Sequence, residues 1–273
     1  MSAQSDSPRL ITTRELIEKK RRGEKIVVLT AYDYLFARLV DEAGVDVVLV
    51  GDSLGQVVLG YDSTLPVTLE TMIHHAAAVR RGVRHALLVV DMPFLTFQIT
   101  PEETLRNAGR VLKETGAQAV KIEGGDEETA RHVRSLVRAG IPVMGHLGLT
   151  PQSVHALGGY RVQGRDDQNA QRIREEGQRL EDAGCFSIVL ELMPTSLAAD
   201  ITRSLSIPTI GIGAGPAVDG QVLVLYDMLG LNDSFQPRFL RRFAELAEHV
   251  RTGLSDYVQA VRGGSYPGSE HSF

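Results

Sequence analysis

Short runs of apolar, largely β-branched residues recur along the chain, separated by longer stretches with one polar face. The runs predict strands at 26–31, 47–51, 86–90, 119–122, 142–145, 187–191, 208–212 and 221–225. Within each run the apolar residues are nearly continuous rather than alternating, which marks strands covered on both faces, as in a parallel sheet. From Ala31 to Asp227 seven intervals average 28 residues. That is the length of one strand, one helix and two loops.

The intervening segments carry helix punctuation. Thr100-Pro101-Glu102-Glu103 sets an N-cap, a first-turn proline and a capping-box glutamate in order, with Gly116 at the far end. Leu105, Ala108, Val111 and Leu112 would be its buried stripe. Asp33 to Gly44, Thr68 to Gly82, Asp126 to Gly140 and Asp166 to Gly184 repeat the polar start and glycine stop. Eight strands alternating with helices fit a closed (β/α)8 TIM barrel better than an open doubly wound sheet, although periodicity alone does not fix closure. An extra N-terminal helix from Thr12 to Arg22 suits a plug for the barrel bottom. A helical stretch at 237–262 presents Phe239, Phe243, Leu246, Val250, Leu254 and Val261 at helical spacing. It reads as a packed last barrel helix, part of whose face could serve a subunit contact. Residues 1–8 and 263–273 read as disordered ends, leaving 9–262 as one barrel domain.

Composition narrows the function. The 273 residues hold 29 Lys plus Arg against 34 Asp plus Glu, so the net charge of −5 offers no general pull toward nucleic acid or an anionic membrane. No stretch has the length of uncharged apolar residues that a membrane helix needs, and the start lacks a secretion-signal pattern. The one cysteine, Cys185, rules out an internal disulfide and a cysteine-cluster metal site. A cytoplasmic enzyme is expected.

Barrel active sites lie at the C-terminal ends of the strands. Ionisable residues fall there repeatedly: Asp52 after the second strand, Asp91 after the third, Lys121 and Glu123 at the fourth, His146 at the fifth and Glu191 at the sixth. Singly, each has a plain explanation as a helix cap, a turn residue or a Lys121–Glu123 ion pair. Five strand ends in succession are harder to explain that way. Three carboxylates and a lysine in one confined mouth call for a cation, and the oxygen-only donors Asp52, Asp91 and Glu123 suit Mg2+. Such an ion polarises a carbonyl and stabilises an enolate, leaving Glu191 as candidate general base. Weaker signals are the glycine-rich turn 211–216, open to a phosphate or to close backbone approach, and the long loop 147–168 with Tyr160, Arg161 and Arg165. His155 in that loop reads as a surface residue.

At these residues the chain resembles the ketopantoate hydroxymethyltransferase family. The blocks are TAYDY at 30–34, VGDSLG at 50–55, DSTLPVT at 62–68, DMPF at 91–94, VKIEGG at 120–125, GHLGLTPQSV at 145–154, GGYRVQGR at 158–165 and IGIGAG at 210–215. The resemblance implies a (β/α)8 barrel in a homo-oligomer, a decamer. It implies Asp52, Asp91 and Glu123 as metal ligands, Asp52, Ser53, Asp91 and Lys121 as substrate contacts, and Glu191 as proton acceptor. His146 is left with an orienting role. The implied reaction moves a hydroxymethyl group from 5,10-methylenetetrahydrofolate to 3-methyl-2-oxobutanoate with Mg2+, giving 2-dehydropantoate for pantothenate and coenzyme A synthesis. Segments 95–99 and 192–193 match the family pattern more loosely. Two rivals are a Mg2+-dependent lyase of the isocitrate lyase or phosphoenolpyruvate mutase type and a non-catalytic barrel scaffold. The lyases commonly place a catalytic cysteine in a strand-end loop, whereas Cys185 precedes a strand; an intact set of ligands and base argues against the scaffold.

Overall fold

The computed structural model describes residues 10–273; the expected disordered stretch 1–8 lies outside them. The chain forms two compact units, the first running to Val224 and the second spanning Leu225–Phe273. All eight strands belong to the first: β1 Ile26–Thr30, β2 Val47–Val50, β3 Leu87–Asp91, β4 Ala119–Glu123, β5 Val143–Gly148, β6 Ser187–Glu191, β7 Thr209–Ile212 and β8 Gly220–Leu223. They pair in parallel in sequence order, and β1 closes on β8 with Ile26 opposite Gly220. The barrel is closed.

Most helices of this unit start where the sequence has cap residues. They are α1 Thr13–Arg22, α2 Tyr34–Glu42, the single turn α3 Leu54–Val57, α4 Leu69–Gly82, α5 Pro101–Thr115, α6 Glu127–Arg138, α7 Asp167–Asp182 and α8 Thr195–Ser204. Asp33, Thr68, Thr100, Asp126 and Asp166 each accept a hydrogen bond from the backbone N–H three residues on, at 2.8–3.2 Å. Gly116 ends α5 at φ 77°, a left-handed turn that glycine adopts without steric cost.

Two details differ from the sequence reading. The buried face of α5 is Thr104, Ala108, Val111 and Thr115, with Leu105 and Leu112 only half-buried. Threonine suits this face because Thr104 Oγ1 pairs with His132 Nδ1 at 2.6 Å and Thr115 Oγ1 donates to the Val111 carbonyl at 2.6 Å. No helix lies between β7 and β8, which residues 213–219 join directly.

Core side chains converge inside the barrel: Val28, Leu49, Val89, Ala119, Met144, Val189, Ile210 and Val222 among others. Leu16 of α1 joins this cluster and is fully buried. Lys19 and Lys20 fasten α1 to Asp46 and Asp219, which immediately precede β2 and β8, at 2.7 and 2.9 Å. Helix α1 therefore plugs the N-terminal end, as the pattern suggested.

The second unit holds the single turn α9 Leu225–Met228 and α10 Leu246–Arg262. The helix expected from 237 begins at Leu246. Pro237 starts a turn closed by Leu240 N–H on the Pro237 carbonyl at 3.0 Å, and Arg242 Nη2 donates to the Asp233 carbonyl at 2.8 Å, which keeps 233–242 out of helix. The expected packed stripe is not buried: α10 has no buried residue, and Leu254 and Tyr257 are about 60% exposed. The tail carries a short 3₁₀ turn at Ser269–His271.

Candidate active site

Strand pleating explains how the site is built. Side chains two residues apart share a face. Four core residues of the barrel interior are followed by polar ones nearer the C-terminal mouth: Val89 by Asp91, Ala119 by Lys121 and Glu123, Met144 by His146, Val189 by Glu191. Registers then set neighbours side by side, Asp91 against Lys121, and Glu123 against His146. Asp52 enters from just beyond β2, and its backbone N–H donates to Asp91 Oδ2 at 3.0 Å. Gly51 leaves room for Ser53 beside it, since a Cβ there would meet Ser53 Oγ at 2.7 Å.

All six ionisable residues singled out in the sequence come together. Lys121 Nζ lies 3.0 Å from Asp91 Oδ1 and 3.2 Å from His146 Nδ1. Its ion partner is thus across the strand pair, not Glu123 on its own strand. His146 spans two carboxylates, with Nδ1 3.5 Å from Glu123 Oε1 and Nε2 3.1 Å from Glu191 Oε2. Asp52, Asp91, Lys121, Glu123 and His146 are buried; the Glu191 side chain, 15% exposed, faces the mouth. Ser53 Oγ pairs with the hydroxyl of buried Tyr32 at 2.9 Å.

Burial, then the charges of Asp91 and Glu123, push the Asp52 carboxyl well above the usual carboxylate range. Burial also raises Asp91, against the pull of Lys121 and the Asp52 N–H. For Lys121 burial opposes the ammonium, but Asp91, Glu123 and Asp52 outweigh it and its pKa rises. Burial and Lys121 likewise oppose the His146 imidazolium, yet the bonds to Glu123 and Glu191 prevail and push it up to about 9. The cluster holds more buried carboxylate than its cations neutralise.

That imbalance fits a cation. Asp91 Oδ1 and Glu123 Oε1 are buried and meet only the ion-pair contacts with Lys121 and His146, without a well-aligned hydrogen bond. Among the described residues no three His, Cys, Asp or Glu side chains form a ready-made cage. Mg2+ does not need one, because it keeps waters and substrate oxygens around one or two carboxylates. Asp52, Asp91 and Glu123 supply only oxygen, the donor it prefers.

Two site residues escaped the sequence reading. Tyr32 and Gln152 are uncharged, so a search for ionisable strand ends passes over them; both lie within blocks of the family resemblance, TAYDY and TPQS. Gln152 sits on a 3₁₀ turn, Pro151–Ser153, in the long loop after β5. Farther along that loop and at the start of α7, Tyr160, Arg161, Gln163, Arg165, Asp166 and Asn169 line a cleft of about 580 Å3. Cys185, just before β6, is buried, and burial pushes its thiol pKa up, so it is an inert core residue.

The family model described as ketopantoate hydroxymethyltransferase matches residues 10–269. The chain belongs to the ketopantoate hydroxymethyltransferase family. It is 54% identical over 273 residues to the 3-methyl-2-oxobutanoate hydroxymethyltransferase of Syntrophus aciditrophicus, covering all of both chains. It is 52% identical to that of Caldicellulosiruptor saccharolyticus, covering 96% of this chain and 99% of the other. Among solved structures, 2,3-dimethylmalate lyase, a PEP mutase/isocitrate lyase superfamily member, aligns with a TM-score of 0.61 at 17% identity, over 96% of this chain and 91% of that one. Phosphonopyruvate hydrolase in complex with oxalate and Mg++ aligns with a TM-score of 0.60 at 14% identity, over 95% and 92%. Those two likenesses show that the ketopantoate hydroxymethyltransferase family member has their barrel fold, and nothing finer.

Proposed function

We propose that the chain transfers a hydroxymethyl group from 5,10-methylenetetrahydrofolate to 3-methyl-2-oxobutanoate, giving 2-dehydropantoate and tetrahydrofolate, a step of pantothenate and coenzyme A synthesis. Full-length identity to enzymes named for this reaction supports it. The observation that carries it is the split between Asp91 and Glu123, whose side chains are 4–5% exposed, and Glu191, which is 15% exposed at the mouth. Buried carboxylates suit a cation. A reachable one suits a base.

A Mg2+ held by Asp52, Asp91 and Glu123 would supply Lewis acidity at the keto oxygen of the oxoacid. The Lys121 ammonium and Ser53 hydroxyl face the same recess and draw in the oxoacid carboxylate. Tyr32 holds the Ser53 hydroxyl in place. Glu191 takes the proton from C3, and His146 keeps its carboxylate aimed across the mouth. C3, now carrying the electron pair, bonds to the methylene carbon as its bond to one folate nitrogen breaks; water then displaces the other nitrogen, leaving the hydroxymethyl group on C3 and free tetrahydrofolate. The cleft with Arg161 and Arg165 suits the anionic tail of that folate. The chain works in the cytoplasm as a homo-oligomer, in the family a decamer; the exposed apolar residues Val250, Leu254, Val258 and Val261 of α10 support self-assembly.

The lyase reading receives no support from Cys185, which is buried before a strand rather than poised in a strand-end loop. A coupled assay with both substrates, with and without Mg2+, tests the proposal. Formation of 2-dehydropantoate only with Mg2+ and folate is expected; cleavage of a 2-substituted malate without folate would favour the lyase.

A further inference from the structure

Gln152 uses its polar atoms in an unusual way for a loop residue. Its backbone N–H donates to Glu123 Oε2 at 3.0 Å. Its side-chain Nε2 donates to Asp52 Oδ2 at 2.8 Å and to the Met92 carbonyl at 2.9 Å. Its Oε1 accepts from Gln98 Nε2 at 3.2 Å. The residue is buried, although much of the loop beyond Val154 is exposed. One residue thus ties the loop after β5 to the ends of β2 and β3 through its side chain and to the end of β4 through its backbone.

The oxygens Gln152 takes are not the ones left over for a cation. On Glu123 it holds Oε2, while Oε1 faces only His146 Nδ1 at 3.5 Å; on the neighbouring Asp91, Oδ1 has the Lys121 ammonium beside it at 3.0 Å and no other donor. Loop and cation therefore address opposite sides of one carboxylate cluster. The loop cannot lift without stripping Asp52 and Glu123 of neutral donors in a recess already crowded with negative charge.

We propose that Gln152 is a positioning residue that couples the seating of loop 149–166 to cation binding at Asp52 and Glu123. A cation held by Asp52, Asp91 and Glu123 fixes Asp52 and Glu123 in one arrangement. In that same arrangement Gln152 takes one oxygen of each, Asp52 Oδ2 and Glu123 Oε2. By linkage, what favours one favours the other. The inference rests on the metal assignment made above and adds to it the element that reports on the metal. In the full reaction, the same coupling would bring the cleft at Arg161 and Arg165 into place only over a loaded metal site.

Limited trypsin digestion reads the coupling without turnover. Arg161 and Arg165 are exposed within the loop, and cleavage there tracks the population of the open form when reclosing is fast. In the wild-type protein, saturating Mg2+ should slow cleavage at these two sites roughly fivefold or more, the lower end of ordinary coupling. Gln152→Met keeps the volume and the backbone bond to Glu123 but loses the amide. It should cleave at a rate that Mg2+ hardly changes, and bind Mg2+ more weakly by calorimetry. Gln152→Asn, too short to reach Asp52 from the same backbone position, serves if the methionine variant does not fold, and should behave alike. Undiminished Mg2+ protection in the folded variant overturns the proposal, as does an absence of protection in a wild-type protein that binds Mg2+. A wild-type protein that gives no calorimetric signal with Mg2+ overturns instead the metal assignment, and the coupling with it.

Discussion

Nε2 of His146 lies 3.1 Å from Oε2 of Glu191, while Nδ1 of the same ring faces Glu123 at 3.5 Å. One imidazole therefore links a carboxylate suited to a metal with the carboxylate suited to proton removal. Glu191→Gln keeps the shape of this link and removes the basic oxygen. In heavy water with Mg2+ and 3-methyl-2-oxobutanoate but no folate, the wild-type protein should exchange the C3 hydrogen. The variant should lose that exchange by a factor of about 10²–10⁴, with oxoacid affinity nearly unchanged. Proton NMR of the C3 signal measures it, and normal exchange in a folded variant would move the base assignment to His146.

Lys121 sits at the centre of the charge balance, 3.0 Å from Asp91. Lys121→Met fills the same space without the cation and leaves buried carboxylates uncompensated. Stability should fall by about 3–5 kcal/mol, as when one partner is removed from a buried ion pair. Urea denaturation checks this. Added Mg2+ should return part of the loss in the variant, and more than it adds to the wild type.

Asp41 supplies a pH-dependent brace on the far side of the barrel. Its carboxylate accepts the backbone N–H groups of Arg84, His85 and Ala86 at 2.9–3.0 Å, fixing the turn that leads into β3. Burial opposes its charge, but those three donors prevail and hold its pKa below the usual carboxylate value. A depressed folded pKa means the stabilisation is fully present above the unfolded value of about 3.9 and is lost as pH falls through the folded one. Asp41→Asn, which turns an amide donor toward backbone donors, should cost about 1–3 kcal/mol at neutral pH. Denaturant midpoints should show the gap between variant and wild type closing in acid.

The cleft at Arg161 and Arg165 gives a kinetic prediction. Replacing both with alanine should raise KM for the folate several-fold and leave KM for the oxoacid unchanged, because the carboxylate cluster lies on other elements. Steady-state kinetics with each substrate varied separates the two, and an unaltered folate KM would remove the cleft from the folate path.

The barrel and its charged rim were legible because they depend on local pattern. Apolar runs mark strands, and the pleat carries Val89 to Asp91 and Met144 to His146 without any knowledge of the fold. Helix α8 was not marked, since Pro194 precedes it with no side-chain cap and no glycine ends it. The ion partner of Lys121 was not legible, because Asp91 comes beside it only through the β3–β4 register. Gln152 and Asp52 are 100 positions apart, and no spacing rule connects an amide with a carboxylate at that distance. The stripe on α10 has helical periodicity but is exposed, because period reveals a face and not what covers it.

The barrel interior beneath the carboxylate cluster is filled by Val28, Leu49, Val89, Met144 and Ile210, so the recess opens toward the C-terminal mouth. Under the proposed function that imposes an order on traffic: the small oxoacid, placed deepest, enters before the bulky folate stands over it, and tetrahydrofolate clears the mouth before 2-dehydropantoate leaves. Side chains with no part in the chemistry would thereby set the queue.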